Sequence, residues 1–181
     1  DYFTSIEQYL VVQLDNGKKY KWNCNVSKPT TLPTHIALLE DIKDAKKYIG
    51  KNIWLNNNLS DSIFLNYSER IFKKFEKVKI VGVKIFQNSI VDRPIWLEIY
   101  TFDGYSAFIR YNGEFKLQGR QNNYYDKNPF KKKWDKVIVQ KIKKGKIDFG
   151  MNHQQVRLSI GNPASINNTS SRHGVSQQWV F

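Results

Sequence analysis

Cysteine and histidine are scarce in this 181-residue sequence, which has one Cys and three His. Cys24 alone cannot form an intramolecular disulfide. The histidines, His35, His153 and His173, stand too far apart in the chain for metal-ligand spacing. We therefore expect no metal site and no cofactor. A thiol–imidazole pair of Cys24 with one histidine is one interpretation, and a small half-buried structural cysteine after a hairpin is the other.

The sequence also lacks a long apolar run. No stretch approaches the roughly 18–20 uncharged apolar residues that a membrane-spanning helix needs. The chain begins at Asp1 without Met, and its first residues show no basic-then-apolar signal segment. We expect that a leader has been removed or that the sequence has been trimmed.

Catalytic motifs are absent from the sequence as well. No serine lies in a nucleophile elbow, and there is no glycine-rich phosphate loop. Asp148-Phe149-Gly150 matches the magnesium motif of protein kinases, but the glycine-rich loop, strand lysine and His-Arg-Asp loop of a kinase are missing. The sequence therefore predicts a protein that is not an enzyme and has no catalytic residues.

Acidic residues are outnumbered, since 29 Lys and Arg face 16 Asp and Glu, which gives a formal net charge of +13. The excess consists of 23 Lys and only 6 Arg, whereas proteins that read nucleic-acid sequence rely on Arg. One interpretation of the lysines is a patch for an anionic partner such as lipid headgroups, acidic polysaccharide or nucleic acid. The other is a solvated face in a Lys-rich composition. The candidate patch residues are Lys131, Lys132, Lys133, Lys143 and Lys144.

Aromatic residues, in contrast, are abundant at 14%, and with 40% hydrophobic residues the chain can build a core. Near the N-terminus, residues 9–14 and 18–22 flank Asn16-Gly17, which favours the positive φ angles of a type I′ hairpin turn. Apolar residues then recur at helical spacing. They predict a helix with Thr34 as N-cap that continues to Ile49.

Short runs of β-branched and aromatic residues follow from Asn52 onward, with turn signals between them. This pattern predicts a small barrel or sandwich rather than βαβ units. Residues 56–77 fit either a short helix or an extended barrel loop. The predicted strands are 53–55, 78–86, 95–101 and 107–111, with a turn over 102–105 between the last two.

Aromatic residues bracket that last turn. Because side chains alternate between the two faces of a strand, one set must point away from the barrel interior. One interpretation is an aromatic groove that binds a peptide or a sugar. The other is that these rings belong to the core and to its contact with the C-terminal part. The candidate groove residues are Trp96, Tyr100, Tyr105 and Tyr111.

Two helices and a hairpin are predicted in the C-terminal part. The first helix has Asp135 as its N-cap. The second begins at Asn152, which is placed to form a capping box with Gln155, while Met151 and Val156 are placed as a hydrophobic staple. The predicted hairpin strands are 165–169 and 176–181.

The residues around this second helix resemble a known family. Lys146-Ile-x-Phe-Gly-Met-x-x-x-Gln-Val-Arg-Leu-x-x-Gly-x-Pro163, followed by Ile166-Asn167 and Gln178-Trp179-Val180-Phe181, is similar to the SmpA/OmlA-type (BamE-like) domain of small bacterial envelope lipoproteins. Asn152 stands where that family usually has Thr, which is another N-capping residue. The resemblance implies a helix–helix–hairpin fold with further strand beyond Phe181.

The middle of the chain resembles a bacterial SH3-like barrel, through Tyr48-Ile-Gly-Lys-x-Ile-Trp54 and Trp96-Leu-x-Ile-x-Thr-x-Asp-Gly-Tyr-x-Ala-Phe-Ile109. The two resemblances together imply an α+β protein with an N-terminal hairpin and helix, a central SH3-like small β-barrel and a C-terminal SmpA/OmlA-like helix–helix–hairpin. The expected division is 1–33 (hairpin and linker), 34–118 (helix and barrel), 119–133 (linker) and 134–181 (tail domain).

The function that these resemblances imply is non-enzymatic binding or scaffolding in the bacterial cell envelope, in the periplasm or at the outer membrane. The implied partner is a protein or a peptidoglycan-type polymer, and an anionic membrane surface is a further candidate. The alternative is a basic nucleic-acid-binding module, which the net charge favours and the scarcity of Arg disfavours.

The chain ends on an apolar strand, which would leave a hydrophobic edge open to pairing. We expect Trp179 and Phe181 to be buried against the helix that carries Val156 and Ile160. The other expectation is burial in a symmetric homodimer that pairs through the C-terminal strand.

Overall fold

Three helices and ten strands are present in the residues that the structure, a computed structural model, describes: 8–14, 16–24, 37–56, 63–86, 94–113, 123–171 and 174–181. The helices are α1 (Leu39–Lys46), α2 (Lys136–Lys143) and α3 (His153–Ile160). The strands are β1 (Gln8–Gln13), β2 (Lys19–Cys24), β3 (Asn52–Leu55), β4 (Phe64–Leu65), β5 (Lys77–Ile85), β6 (Ile95–Tyr100), β7 (Ser106–Arg110), β8 (Tyr124–Tyr125), β9 (Ser165–Ser171) and β10 (Gly174–Val180). The expected α+β class is confirmed.

The N-terminal hairpin of β1 and β2 is confirmed, but the predicted turn type is wrong. The Leu14 N–H donates to the Lys18 carbonyl at 2.8 Å, and the Gly17 N–H donates to the Leu14 carbonyl at 2.9 Å. Gly17 has a φ of 80°, and the pairing of Gln13 with Lys19 leaves an odd number of residues between the strands, whereas a type I′ turn has two. The connection is therefore a three-residue loop with glycine at its left-handed position, another common hairpin geometry.

Helix α1 begins later than the sequence predicted. Leu38 is the N-cap residue, with extended dihedral angles and no side-chain cap, so Thr34 does not cap this helix. Glu40 and Asp41 lie in the first turn, where the helix dipole favours negative charge. Thr34 itself lies outside the described residues. Ala45 of α1 is fully buried in the larger of the two hydrophobic clusters, called the main core.

The largest sheet has six antiparallel strands in the order β4-β7-β6-β5-β3-β8. It curls into a half-barrel, which is compatible with a small barrel-like domain. The four strands predicted in this region are confirmed as β3, β5, β6 and β7. Alternate residues on the concave side form the core, as the period of two in a strand requires. Those with no exposed surface are Ile53, Leu55, Val78, Ile80, Ile95, Leu97, Ile99 and Ile109.

The region that the sequence left open between helix and loop contains no helix within residues 63–76. Phe64 and Leu65 form β4 and pair with β7, and the remaining residues form turns and extended backbone. The extended-loop alternative is therefore confirmed for these residues.

The helix starts in the C-terminal part agree with the sequence. The Asp135 side chain accepts a hydrogen bond from the Val137 N–H at 2.6 Å. Asn152 and Gln155 form the predicted capping box, in which the Gln155 N–H donates to Asn152 Oδ1 at 3.0 Å and the Asn152 N–H donates to Gln155 Oε1 at 2.8 Å. Met151 packs against the second hydrophobic cluster. Its contact with a staple residue on α3 stays a prediction.

A second hydrophobic cluster joins the helices to the sheet. Phe75, Ile142 and Leu158 are its buried members, and Tyr125 and Phe130 pack against them. Tyr125 belongs to β8, so the predicted linker 119–133 contributes a strand to the sheet by pairing with β3. The proposed division into domains stays a prediction.

The C-terminal hairpin of β9 and β10 is confirmed, and Trp179 lies on α3. Its ring centroid is 4.6 Å from that of His153, and the Arg157 guanidinium is 5.0 Å from the Trp179 ring. His153 and Arg157 are four residues apart, so they lie on one helix face. Phe181 is exposed within the single chain, so its burial against α3 is wrong. Pairing with a second copy stays a prediction.

Candidate functional site

The four predicted groove residues do not share one surface. Trp96 is fully buried and stacks on Phe86, with ring centroids 5.1 Å apart. Tyr111 is buried in the main core, where burial raises its pKa to about 12. Tyr100 and Tyr105 remain 45% and 44% exposed. Only this second pair is available to a ligand at the surface, and its binding role stays a prediction.

Of this pair, Tyr100 belongs to a larger surface, here called the sheet face, whose other members the sequence did not predict. The Lys77 Nζ atom lies 5.8 Å from the Trp54 ring centroid and 5.7 Å from the Phe102 ring centroid. Phe102 is 81% exposed. A cation between two aromatic faces is held by their quadrupoles while it remains open to solvent. The sheet face comprises Trp54, Lys77, Lys79, Tyr100 and Phe102.

Strand alternation places these residues together. In β5, Lys77 and Lys79 alternate with the buried Val78 and Ile80, so both lysines point away from the core. Lys79 is the register partner of Tyr100 on β6. The alternation was visible in the sequence, but the aromatic partners come from other strands and from the turn after β6.

The sheet face is positively charged because the carboxylates beside it are already paired. Glu76 and Asp103 both bind Arg70, at 2.6 Å and 3.0 Å. Glu98 lies 3.8 Å from Lys84. Within the described part of the chain, neither lysine of the sheet face has a carboxylate in ion-pair distance. An anionic group is therefore the electrostatic complement of this surface.

Arg70 fixes the turn that carries Phe102. It donates to two carboxylate oxygens of Glu76, at 2.6 and 3.2 Å, and to Asp103 at 3.0 Å. Its guanidinium also lies 5.6 Å from the Tyr105 ring centroid. Hydrogen bonds from Thr101 and then from Arg70 lower the pKa of Asp103. We call this arrangement the Arg70 clamp, and it orders the 102–105 turn before any ligand arrives.

One contact connects the two segments of the predicted basic patch. All five of its lysines are exposed. The Lys143 Nζ atom lies 5.4 Å from the ring centroid of Phe130, which precedes Lys131 in the chain. The end of α2 and the segment before it therefore lie side by side. No carboxylate among the described residues pairs with any of the five. Whether the patch binds an anionic partner stays a prediction.

One further lysine has a structural role that the sequence did not reveal. The Lys74 Nζ atom donates to the carbonyl oxygens of Leu158 and Ser159 at 2.7 and 3.0 Å. These carbonyls lie at the C-terminal end of α3, where the helix dipole favours a cation. Burial lowers the pKa of Lys74. The contact attaches α3 to the loop before β5.

The described residues contain neither a metal-ion cluster nor a membrane-spanning helix. No group of three or more His, Cys, Asp or Glu there is arranged to hold a metal ion. No described helix has the length and apolar character to cross a membrane. The Cys24 side chain, His35 and His173 lie outside what the structure describes, so the thiol–imidazole interpretation stays untested.

Comparison with known proteins adds no assignment to this geometry. No family model matches the chain, and no curated protein or solved structure shows significant similarity to it.

Proposed function

We propose that this chain is a non-enzymatic binding or scaffolding protein of the bacterial cell envelope, which contacts a protein or cell-wall partner through the sheet face. The proposal includes an SH3-like barrel built on the six-stranded sheet and a SmpA/OmlA-like tail. The observation that carries it is the lysine between two aromatic rings, one of which, Phe102, is 81% exposed.

The exposure of these rings supports a binding role. Large apolar side chains that are grouped and rigidly held at a surface typify interaction sites. The Arg70 clamp joins the 102–105 turn to Glu76, through one hydrogen bond from Arg70 to Asp103 and two from Arg70 to Glu76. Binding of a partner therefore costs less conformational entropy than it would if the turn were mobile. Planar rings flanked by ammonium groups suit a ligand that presents both a flat apolar face and a negative charge.

The two carboxylates with lowered pKa values have structural partners. The lowered pKa of Asp103 comes from Thr101 and Arg70, and the lowered pKa of Asp148 comes first from the hydrogen bond with Lys141. Each carboxylate is thus engaged in an ion pair that shapes a loop. A general acid or base would instead need a pKa moved toward neutrality at a cleft.

The tail supports the envelope part of the proposal. The capping box at Asn152 and the β9–β10 hairpin stand where the SmpA/OmlA-type resemblance requires a helix start and paired strands. The six-stranded sheet with its short turn after β6 is compatible with the barrel half of the proposal.

Sedimentation with purified peptidoglycan sacculi tests the cell-wall arm. We expect the wild-type chain to sediment with sacculi, and Lys77→Gln with Phe102→Ala to weaken binding by at least about tenfold through loss of one aromatic contact and one cation. The matched control, Lys18→Gln with Tyr20→Ala, removes one lysine charge and one aromatic ring from the exposed first hairpin and should bind like wild type.

Photo-crosslinking tests the protein arm. A photoreactive phenylalanine analogue at position 102 should give a discrete protein adduct in envelope preparations, whereas the same analogue at position 20 should not. If the variant of Lys77 and Phe102 and the control variant of Lys18 and Tyr20 sediment equally with sacculi, the sheet face is not the binding site. Absence of sedimentation together with identical adduct patterns at positions 102 and 20 would overturn the proposal.

Nucleic-acid binding is the second candidate, favoured by the net charge of +13 and by exposed rings next to lysines. Binding to mixed-sequence single-stranded DNA that weakens steeply with salt would support it. No binding at low salt would remove it.

A further inference from the structure

The loop between α2 and α3 presents apolar side chains to solvent, on a surface separate from the sheet face. Phe149 is 101% exposed, and Ile147 is exposed beside it. Val137 on α2 is exposed too. Most phenylalanines in a folded domain are buried, so a fully exposed one with apolar neighbours indicates a surface that meets another apolar phase.

This exposure belongs to an ordered loop. The Lys146 N–H donates to the Lys141 carbonyl at 2.9 Å, and the Ser159 hydroxyl donates to the Lys146 carbonyl at 2.7 Å. Asp148 accepts the Phe149 N–H at 3.0 Å and forms an ion pair with Lys141. The loop is thus fastened to both helices, and Phe149 is held outward at its tip.

Exposed lysines precede the apolar tip in the chain. Val137, Lys141 and Lys144 recur at helical spacing, so they lie on one face of α2 that leads to the loop. Asp148 forms an ion pair with Lys141, and the Asp135 side chain accepts a hydrogen bond from the Val137 N–H. The exposed lysines next to the tip in the chain are Lys143, Lys144 and Lys146.

We propose that this surface, here called the loop surface (Lys143, Lys144, Lys146, Ile147 and Phe149), docks the chain on an anionic lipid bilayer. Phe149 and Ile147 enter the boundary between headgroups and acyl chains, and the lysines bind the headgroup phosphates. A soluble polyanion would satisfy the lysines but not the apolar tip. A bilayer satisfies both, because it combines negative surface potential with an apolar interior.

Vesicle sedimentation tests the proposal with the whole chain. We expect wild-type protein to bind phosphatidylcholine vesicles that contain phosphatidylglycerol and to bind pure phosphatidylcholine much more weakly. Phe149→Ala should lower the partition coefficient about tenfold. Lys143→Gln with Lys144→Gln should lower it about fivefold for each lysine removed.

Matched controls separate this surface from general charge and from the sheet face. Phe102→Ala removes another highly exposed phenylalanine, and Lys18→Gln with Lys19→Gln removes two other exposed lysines. Both controls should bind vesicles like wild type or nearly so. Because the vesicles contain no protein or cell-wall partner, failure of the proposed sheet-face function would leave this result unchanged.

Three outcomes would overturn the proposal. The first is no binding of wild-type protein to anionic vesicles at low salt. The second is an equal effect of Phe149→Ala and Phe102→Ala. The third is loss of binding on removal of Lys143 and Lys144 but not on removal of the Phe149 ring, which would show electrostatic adsorption to headgroups without insertion of the tip. Greater quenching of Phe149→Trp than of wild type by brominated lipid would confirm insertion of the tip.

Discussion

Replacement of Glu76 tests whether the Arg70 clamp holds the turn of the sheet face. Arg70 and Glu76 are joined by two hydrogen bonds, at 2.6 and 3.2 Å, and each side chain is only 18% exposed. Glu76 also accepts the Lys73 N–H at 3.0 Å. Asp103, the other partner of Arg70, is 55% exposed. The two carboxylates therefore differ mainly in how far water screens them.

The size of the effect follows from this burial. Exposed ion pairs contribute ~0–1 kcal/mol, and breaking a fully buried pair costs ~3–5 kcal/mol. The Arg70–Glu76 pair lies between these limits. Glu76→Gln keeps the shape but removes the charge, so we expect the free energy of unfolding to fall by ~1–2 kcal/mol. Asp103→Asn should cost less, because water replaces its contacts.

Urea unfolding of four proteins measures this directly: wild type, Arg70→Met, Glu76→Gln and the double variant. The double-mutant cycle should give a coupling energy of about 1 kcal/mol or more, since the two residues are in contact. A coupling energy near zero, or a larger loss for Asp103→Asn than for Glu76→Gln, would refute the clamp as described.

Two further predictions concern side chains that hold helix α3, one at its N-terminal end and one at its C-terminal end. Asn152→Ala should lower the free energy of unfolding by ~0.5–2 kcal/mol because it removes one half of the capping box, and a urea midpoint equal to that of wild type would contradict this. For Lys74, burial lowers the folded pKa below the ordinary 10.5, so the unfolded chain binds the proton more tightly. The stability of wild type relative to Lys74→Met should therefore rise as pH increases from the folded pKa toward 10.5, and unfolding curves with a constant offset across alkaline pH would contradict that.

Features that depend on a few neighbouring residues were predictable from the sequence. The capping box is one, because Asn152 and Gln155 are three residues apart and satisfy each other's backbone N–H groups without help from the rest of the fold. The strands of the main sheet are another, since alternation and β-branched residues mark them locally. The start of α1 was missed, because apolar spacing continues upstream of the extended residue Leu38.

Contacts between distant segments were decided by the tertiary structure. The sequence shows that Lys77 and Lys79 share one side of β5, but only strand pairing and the Arg70 clamp bring Phe102 next to Lys77. Trp96 is buried for a similar reason. Strand alternation alone would place its ring at the surface, but Phe86 stacks over it.

Strand β8 and the loop surface also depend on contacts that the sequence alone does not reveal. Tyr124 and Tyr125 lie in a polar stretch that the sequence predicts to be a linker. Their pairing with β3 makes them a strand. Phe149 is apolar, so the sequence alone suggests that it is buried. It is exposed because backbone and side-chain bonds from both helices hold its turn away from the second cluster. Local chemistry thus determined which elements form, and long-range packing determined which side chains remain available at the surface.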